Sequence, residues 1–432
     1  MVRAHTILEV KKLSLSYGFF TGVLVLCVLI GYALYTGKTH VEDRQYLIER
    51  MSLEKQEFYA ELQSRAHDMQ QGLYEPSTWW QDPTNVVVVS AIRGAGRYVF
   101  LEPEPLGPVA RGMSDILPWH GQVTLLDKEP MVGQSLANAT LKRIGHIDLS
   151  FVIVFIVPLF VIALAYNSLS SERELGTYPL LASLPVSLSW LLALRLGIQA
   201  VALITVLAAI IWGTALATGL QIHSREGLVL LAWISAYVLF WFVLAWGVNM
   251  LHTSSATNAV TLVGLWVVFM LIMPVLINTL ATTIHPVPSR SVWITAQRAF
   301  EQEANTRRAS LVESYTIEHP EEIAPSELPA HMRTWSERLI LQRFIDEQLQ
   351  VIEHRFEESL RRQEQLMRYL RILSPPLLLQ NRLEQLAGTD SRSLRGLEER
   401  LHQAHEEWRS LFLPFLQQQQ SLTPEDLERV PL

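Results

Sequence analysis

Cysteine is nearly absent from this chain of 432 residues: the one present, Cys27, falls inside an apolar run. A single thiol excludes an intrachain disulfide framework and any cysteine-based metal cluster. Lysine disappears after Lys142, leaving arginine as the base of the long remainder, and charged residues make up only 18% of the chain with a net charge of -7. A mixed, mildly acidic surface of that kind excludes nucleic acid as a ligand. No stretch has the GxxxxGK[ST] form, and the Gly94-Ala95-Gly96 turn lacks the lysine and helix that would cradle phosphates. Histidines are scattered. His402 and His405 lie near Glu398, Glu399, Glu406 and Glu407, a spacing that would allow a metal patch on one helix but reads first as a solvated face. Asn138-Ala139-Thr140 fits a glycosylation sequon and is read as chance.

Apolar residues are plentiful, at 49%. A mean hydropathy of +0.20 is nevertheless too low for a chain made only of spans. Since a hydrocarbon core needs roughly 20 apolar residues per helix, the runs Gly18 to Thr36, Leu149 to Asn167, Leu191 to Leu220, Leu228 to Met250 and Ala259 to Ala281 are read as five spans. The first has no small-residue cleavage site and is not a removable signal. Arg3, Lys11 and Lys12 precede it, which places the N-terminus in the cytoplasm by the positive-inside rule.

The expected class is a mainly α membrane protein: a polytopic helical bundle with a small α+β extracytoplasmic insert and a helical-hairpin extracytoplasmic domain. Its expected parts are a cytoplasmic amphipathic segment (1–17), the first span (18–36), the insert (37–148), the second span (149–167), a cytoplasmic elbow (168–190), spans three to five (191–281) and the helical domain (282–432), with no sixth span in this chain. Within the insert, Leu47, Met51, Phe58 and Leu62 predict a helix rising from the first span. Val86 to Ser90, Tyr98 to Leu101 and Gln122 to Leu126 read as short strands. In the C-terminal part, Trp335 to Leu373 predicts a long amphipathic helix ended by Pro375-Pro376, with Leu397 to Phe415 as its antiparallel partner.

Between the second and third spans runs Ser170-Ser171-Glu172-Arg173-Glu174-Leu175-Gly176-Thr177-Tyr178-Pro179-Leu180-Leu181-Ala182-Ser183-Leu184-Pro185-Val186-Ser187. Three charged residues in a row are expensive in lipid, and Gly176 and Pro179 favour a change of direction. A short elbow at the membrane surface follows, with Leu180, Leu181 and Leu184 toward lipid or the bundle and the charges outward. Arg195, Gln199, Asn249 and Asn278, polar groups in or near the spans, read as ties between helices. Trp190, Trp212, Trp233 and Trp266 read as belt or bundle residues.

The elbow closely resembles the segment after the second span of type-2 ATP-binding-cassette (ABC) permeases. Together with His146-Ile147-Asp148-Leu149-Ser150-Phe151, Leu373 to Gln380, Ala387-Gly388-Thr389 and Trp408 to Phe412, it is similar to a bacterial subfamily that carries a large helical extracytoplasmic domain after the fifth span. The resemblance implies a permease subunit with Ser171, Glu172, Arg173, Glu174, Gly176 and Thr177 contacting a cytosolic ABC ATPase. ATP and Mg would reside on that partner, with no cofactor and no enzymatic activity in this chain. It also implies a homodimer or a related second permease, membrane lipid, a periplasmic protein as external partner, and a multi-pass location in the bacterial inner membrane. The alternative is an ATPase-independent scaffold or sensor that recruits an extracytoplasmic protein.

Overall fold

The computed structural model describes residues 2–92, 94–112, 114, 118–131, 147–183, 186–220, 222, 224–251, 254–320, 325–418 and 420–431. Asn138-Ala139-Thr140, His146 and Leu184-Pro185 lie outside the described residues. In chain order the main elements are helices α1 (Val2–Ser14), α2 (Tyr17–Gln70) and α3 (Val86–Ser90), then strands β1 (Arg97–Phe100), β2 (His120–Val123) and β3 (Lys128–Met131). Helices α4 (Leu149–Glu174), α5 (Tyr178–Ala182), α6 (Leu188–Thr218), α7 (Ser224–Met250) and α8 (Ser255–Ile284) follow. After them come α9 (Arg290–Thr306), α10 (Arg308–Glu318), α11 (Ala330–Leu370), α12 (Pro375–Leu386), α13 (Ser391–Gln417) and α14 (Pro424–Glu428).

Five of these, α2, α4, α6, α7 and α8, are long and apolar enough to cross a membrane, in agreement with the five apolar runs. Their common core includes Leu26 and Ile30 of α2, Ile153 and Val161 of α4, Leu203 of α6, and Ile234 and Trp241 of α7. Proline inside such a helix lacks an N–H, and its ring strikes the carbonyl four residues earlier. Before Pro158, α4 therefore widens into a π turn over Val152–Ile156. The Tyr237 hydroxyl of α7 donates to the Val154 carbonyl at 2.8 Å, the very carbonyl that Pro158 cannot serve. α8 repeats the device, with a π turn over Val268–Ile272 before Pro274.

Helix α2 runs on without a break for 54 residues. Its far half enters a second core, where Tyr59, Leu62 and Ala66 meet Val86, Val87 and Val89 of α3 and Leu397, Trp408 and Phe412 of α13. The insert and the end of the chain therefore form one lobe. Its sheet is antiparallel in the order β1-β2-β3, with Arg97 opposite Val123 and His120 opposite Met131.

Three expectations are corrected here. Val86 to Ser90 is a helix, because all five residues are buried and the Asn85 side chain caps the first turn by accepting from Val87 N at 3.0 Å; burial on every side overrides β propensity. The second strand stops at Val123, since Thr124 Oγ1 turns the chain by accepting from Asp127 N at 3.0 Å. The hairpin does not form as expected either. α11 packs along α9 and α10 through Leu341, Ile345 and Leu349, while α13 lies on the sheet and on α3, its Trp408 indole N–H donating to Ser90 O at 3.1 Å. Among the described residues, α11 and α13 meet only toward their ends, at the Arg395–Glu364 pair and where Leu339 of α11 joins the second core. An amphipathic stripe specifies that it will be covered, but the nearest uncovered apolar face decides by what.

Between them lies α12. Leu379 and Leu383 on this helix, and Ala387 just past its end, belong to the core of the spans, and Arg382 stacks on Trp233 of α7 at 5.2 Å. α12 thus seats the lobe on the bundle. Tyr237→Phe should lower the thermal midpoint of the detergent-purified protein by leaving the Val154 carbonyl unpaired, a loss of roughly 1–3 kcal/mol. An unchanged midpoint would show that the π turn satisfies that carbonyl alone.

Candidate functional site

The turn at residues 166–169 separates the spanning part of α4 from its last five residues, Ser170–Glu174. In an unbroken helix Leu169 N would donate to Ala165 O. Here the buried amide of Asn249, on α7, stands in that gap: its Nδ2 donates to Ala165 O at 2.9 Å and its Oδ1 accepts from Leu169 N at 3.3 Å. The same Oδ1 accepts from Asn258 Nδ2 of α8 at 3.4 Å. Asn258 also donates to Ser170 Oγ at 3.4 Å, and Ser170 shares a hydrogen bond with Ser255 at 2.9 Å.

The elbow's carboxylates extend this network instead of pointing away from it. Glu174 accepts from Ser255 N at 2.8 Å and from Ser255 Oγ at 2.9 Å, so a negative charge sits at the positive start of α8. Glu172 accepts from Thr177 Oγ1 at 2.6 Å and from Arg195 Nη1 at 3.5 Å. Arg195, on α6, also donates to Ser168 O at 2.7 Å and pairs with the buried Glu9 of α1 at 3.2 Å. α6, α7 and α8 are therefore bound by side-chain bonds to the elbow at the end of α4, and α1 joins them through Arg195.

Ser171 takes part through its carbonyl, which accepts from Leu175 N at 2.9 Å. Gly176 ends the short helix at φ +74°, with Thr177 N donating to Glu172 O and Gly176 N to Arg173 O. This paired closure needs a left-handed residue, which glycine supplies without a Cβ clash. Arg173 stacks on Tyr178 at 4.3 Å. Leu175 and Leu180 remain 76% and 71% exposed. The sequence-predicted site residues thus converge: Glu172 and Glu174 are bonded to neighbouring helices, Glu174 while still exposed, and Leu175 and Leu180 are exposed beside them. Glu9, Ser170, Ser255 and Asn258 were missed. Their signal was faint: a polar residue at the end of each of several adjoining apolar runs.

A second junction lies at the lobe end of the spans. Asp148 caps α4 by accepting from Phe151 N at 2.7 Å, and it accepts from Arg111 N at 3.0 Å. Arg111 donates to Thr36 O of α2 at 2.7 Å, and Thr389 Oγ1 donates to Ala110 O at 3.1 Å. Asp148, the α12 segment and Ala387-Gly388-Thr389, scattered in sequence, meet here. Burial pushes the Asp148 and Glu384 carboxyls above their ordinary values, although Gln380 and Arg371 pull Glu384 back down. His405 is buried and His402 exposed, so the helix carries no shared histidine patch, and the described residues hold no cluster of three or more candidate metal ligands.

The two junctions bracket a five-helix bundle that carries one mixed α+β lobe. Residues 290–432, from α9 onward, match a family model described as a domain of unknown function (DUF3526). No curated protein and no solved structure matches the chain.

Asn249→Leu keeps volume but leaves Ala165 O and Leu169 N without partners, so the melting midpoint of the purified protein should fall, by roughly 1–3 kcal/mol of stability for each buried group. A midpoint equal to wild type would remove Asn249 from the network.

Glu384→Gln retains an acceptor for Gln380 and abolishes the charge. A carboxyl raised in the folded state binds its proton more tightly there, so stability falls as pH rises from the ordinary carboxylate range through the raised value. The substitution should therefore raise the melting midpoint at neutral pH and leave it unchanged at the acid end. A lower midpoint at neutral pH would mean that the Arg371 attraction outweighs burial.

Proposed function

We propose that this chain is the membrane-spanning permease subunit of an ABC transporter, working with a separate cytosolic ATPase to export a substrate or to transmit motion to an extracytoplasmic partner. The observation that carries the reading is the elbow. It bonds to the ends of three other helices and, through Arg195, reaches α1, and it keeps Leu175, Gly176 and Leu180 exposed. A force applied to that exposed turn reaches α1, α6, α7 and α8 together. The likeness of the elbow's sequence to type-2 permeases supplies the identity of the motor.

In this reading the elbow side is cytoplasmic and the lobe is extracytoplasmic, in line with Lys11 and Lys12 before the first span. Motion leaves the bundle by two routes, α12 in the core of the spans and the continuous α2. Only 17% of the most apolar window of α8 and 28% of that of α2 is buried within the chain. Those faces leave room for a second protomer, a copy or a related permease, as well as for lipid.

Affinity purification of the tagged chain from its native membrane should bring down a P-loop ATPase. Leu175→Asp should abolish that association while leaving the melting midpoint within about 0.5 kcal/mol of wild type, as expected for an exposed site. Absence of any ATPase with the wild-type chain, or its full retention by Leu175→Asp in a stable protein, would reject the coupling role.

A further inference from the structure

A crevice of about 770 Å³ opens between α1, α2, α4 and α6. Along α4 it extends from Ile156 to Asn167, a rise of about 16 Å for a helix. That depth equals one leaflet, half of a hydrocarbon core about 30 Å thick. Its ends differ in character. Glu9, Lys12 and Arg195 line the elbow end, whereas Leu26, Ile156, Leu159 and Phe160 line the deep part. The wall between α2 and α4 is closed where Phe19 meets Phe160 at 6.2 Å and where Gly22 lies so near that a Cβ would fall 1.8 Å from the Phe160 ring.

The deep part of the crevice, lined by Leu26, Ile156, Leu159 and Phe160, offers water too few partners to hold it, and left empty it would lose the dispersion contacts of its walls. Methylene chains match the apolar side chains that line its deep part. At the elbow end Lys12 is 60% exposed and 3.8 Å from Glu9, and Glu9 is 8% exposed and bound to Arg195. The exposed ammonium thus stands at the elbow end of the crevice, free on its outer side to meet an anionic group.

We propose that the crevice binds a phospholipid of the leaflet on the elbow side, with its phosphate at Lys12 and acyl chain between Leu159, Phe160 and Leu26. This site lies apart from the exposed turn of the elbow and does not require an ATPase. The acyl chain lies in the crevice against the closed α2–α4 wall while the headgroup bears on α1. The lipid thereby touches α1 and α4, which Glu9 and Arg195 tie together through Ser168.

The test uses the full chain in liposomes that contain a phospholipid with a photoactivatable group midway along one acyl chain. After irradiation, adducts are mapped by mass spectrometry. Adducts on Thr21, Leu159 and Ala163 should exceed those on Val275 and Leu276, exposed on α8, severalfold. Ala163→Trp, which fills the crevice, should remove the first set and spare the second. Lys12→Gln, at an exposed position that folding tolerates, should reduce the first set alone. Equal labelling of crevice and α8, or crevice labelling indifferent to both substitutions, would mean annular lipid only and would overturn the proposal. So would disulfide crosslinking of Thr21→Cys between two copies with no lipid adduct in the crevice. ATPase co-purification is read separately, so the failure of either idea leaves the other standing.

Discussion

One amide completes a broken helix. Asn249 reaches from α7 into the gap between Ala165 and Leu169, donating to one and accepting from the other, so that α4 can turn at the edge of the bundle without leaving either backbone group bare. In a medium with no water to serve those groups, an unsatisfied pair would be costly. The turn therefore exists only because another helix supplies its hydrogen bonds. Everything attached to the turn inherits that dependence: Ser170 and Asn258 extend the network to α8, and Arg195 carries it to α6 and α1.

The spans were legible in the sequence because membrane thickness dictates the length of an apolar run, and the rising part of α2 was legible because its periodicity persists past the span. The elbow's position was legible from its charges. What those charges do was not: Glu172 and Glu174 look alike as solvated residues until Arg195 and Ser255, distant in the chain, are beside them. The same limitation explains the lobe. Leu397, Trp408 and Phe412 announce a stripe in need of cover, yet nothing local distinguishes α11 from a sheet as the cover. Val86 to Ser90 failed for a different reason, since in five residues burial on all sides outweighs intrinsic preference.

The two junctions solve opposite problems with similar chemistry. At the elbow end, amides and carboxylates join helices that enter from one side, and Leu175 and Leu180 stand exposed beside them. At the lobe end, Asp148, Arg111 and Thr389 close loops over the spans, while apolar α12 enters the bundle. A small change in how the spans pack would therefore be felt at the lobe through α12 without any covalent path shorter than the fold itself.

The unbroken course of α2 makes it a lever. A straight helix of 54 residues is about 80 Å long, and a rigid rod converts rotation at one end into displacement at the other in proportion to length. A tilt of about 5° at its first turn would carry Gln70 on the order of 7 Å, a movement comparable to the spacing of packed helices. The lobe's distance from the elbow is thus a mechanical gain: the further a side chain sits along that rod, the smaller the angular change needed to reposition it.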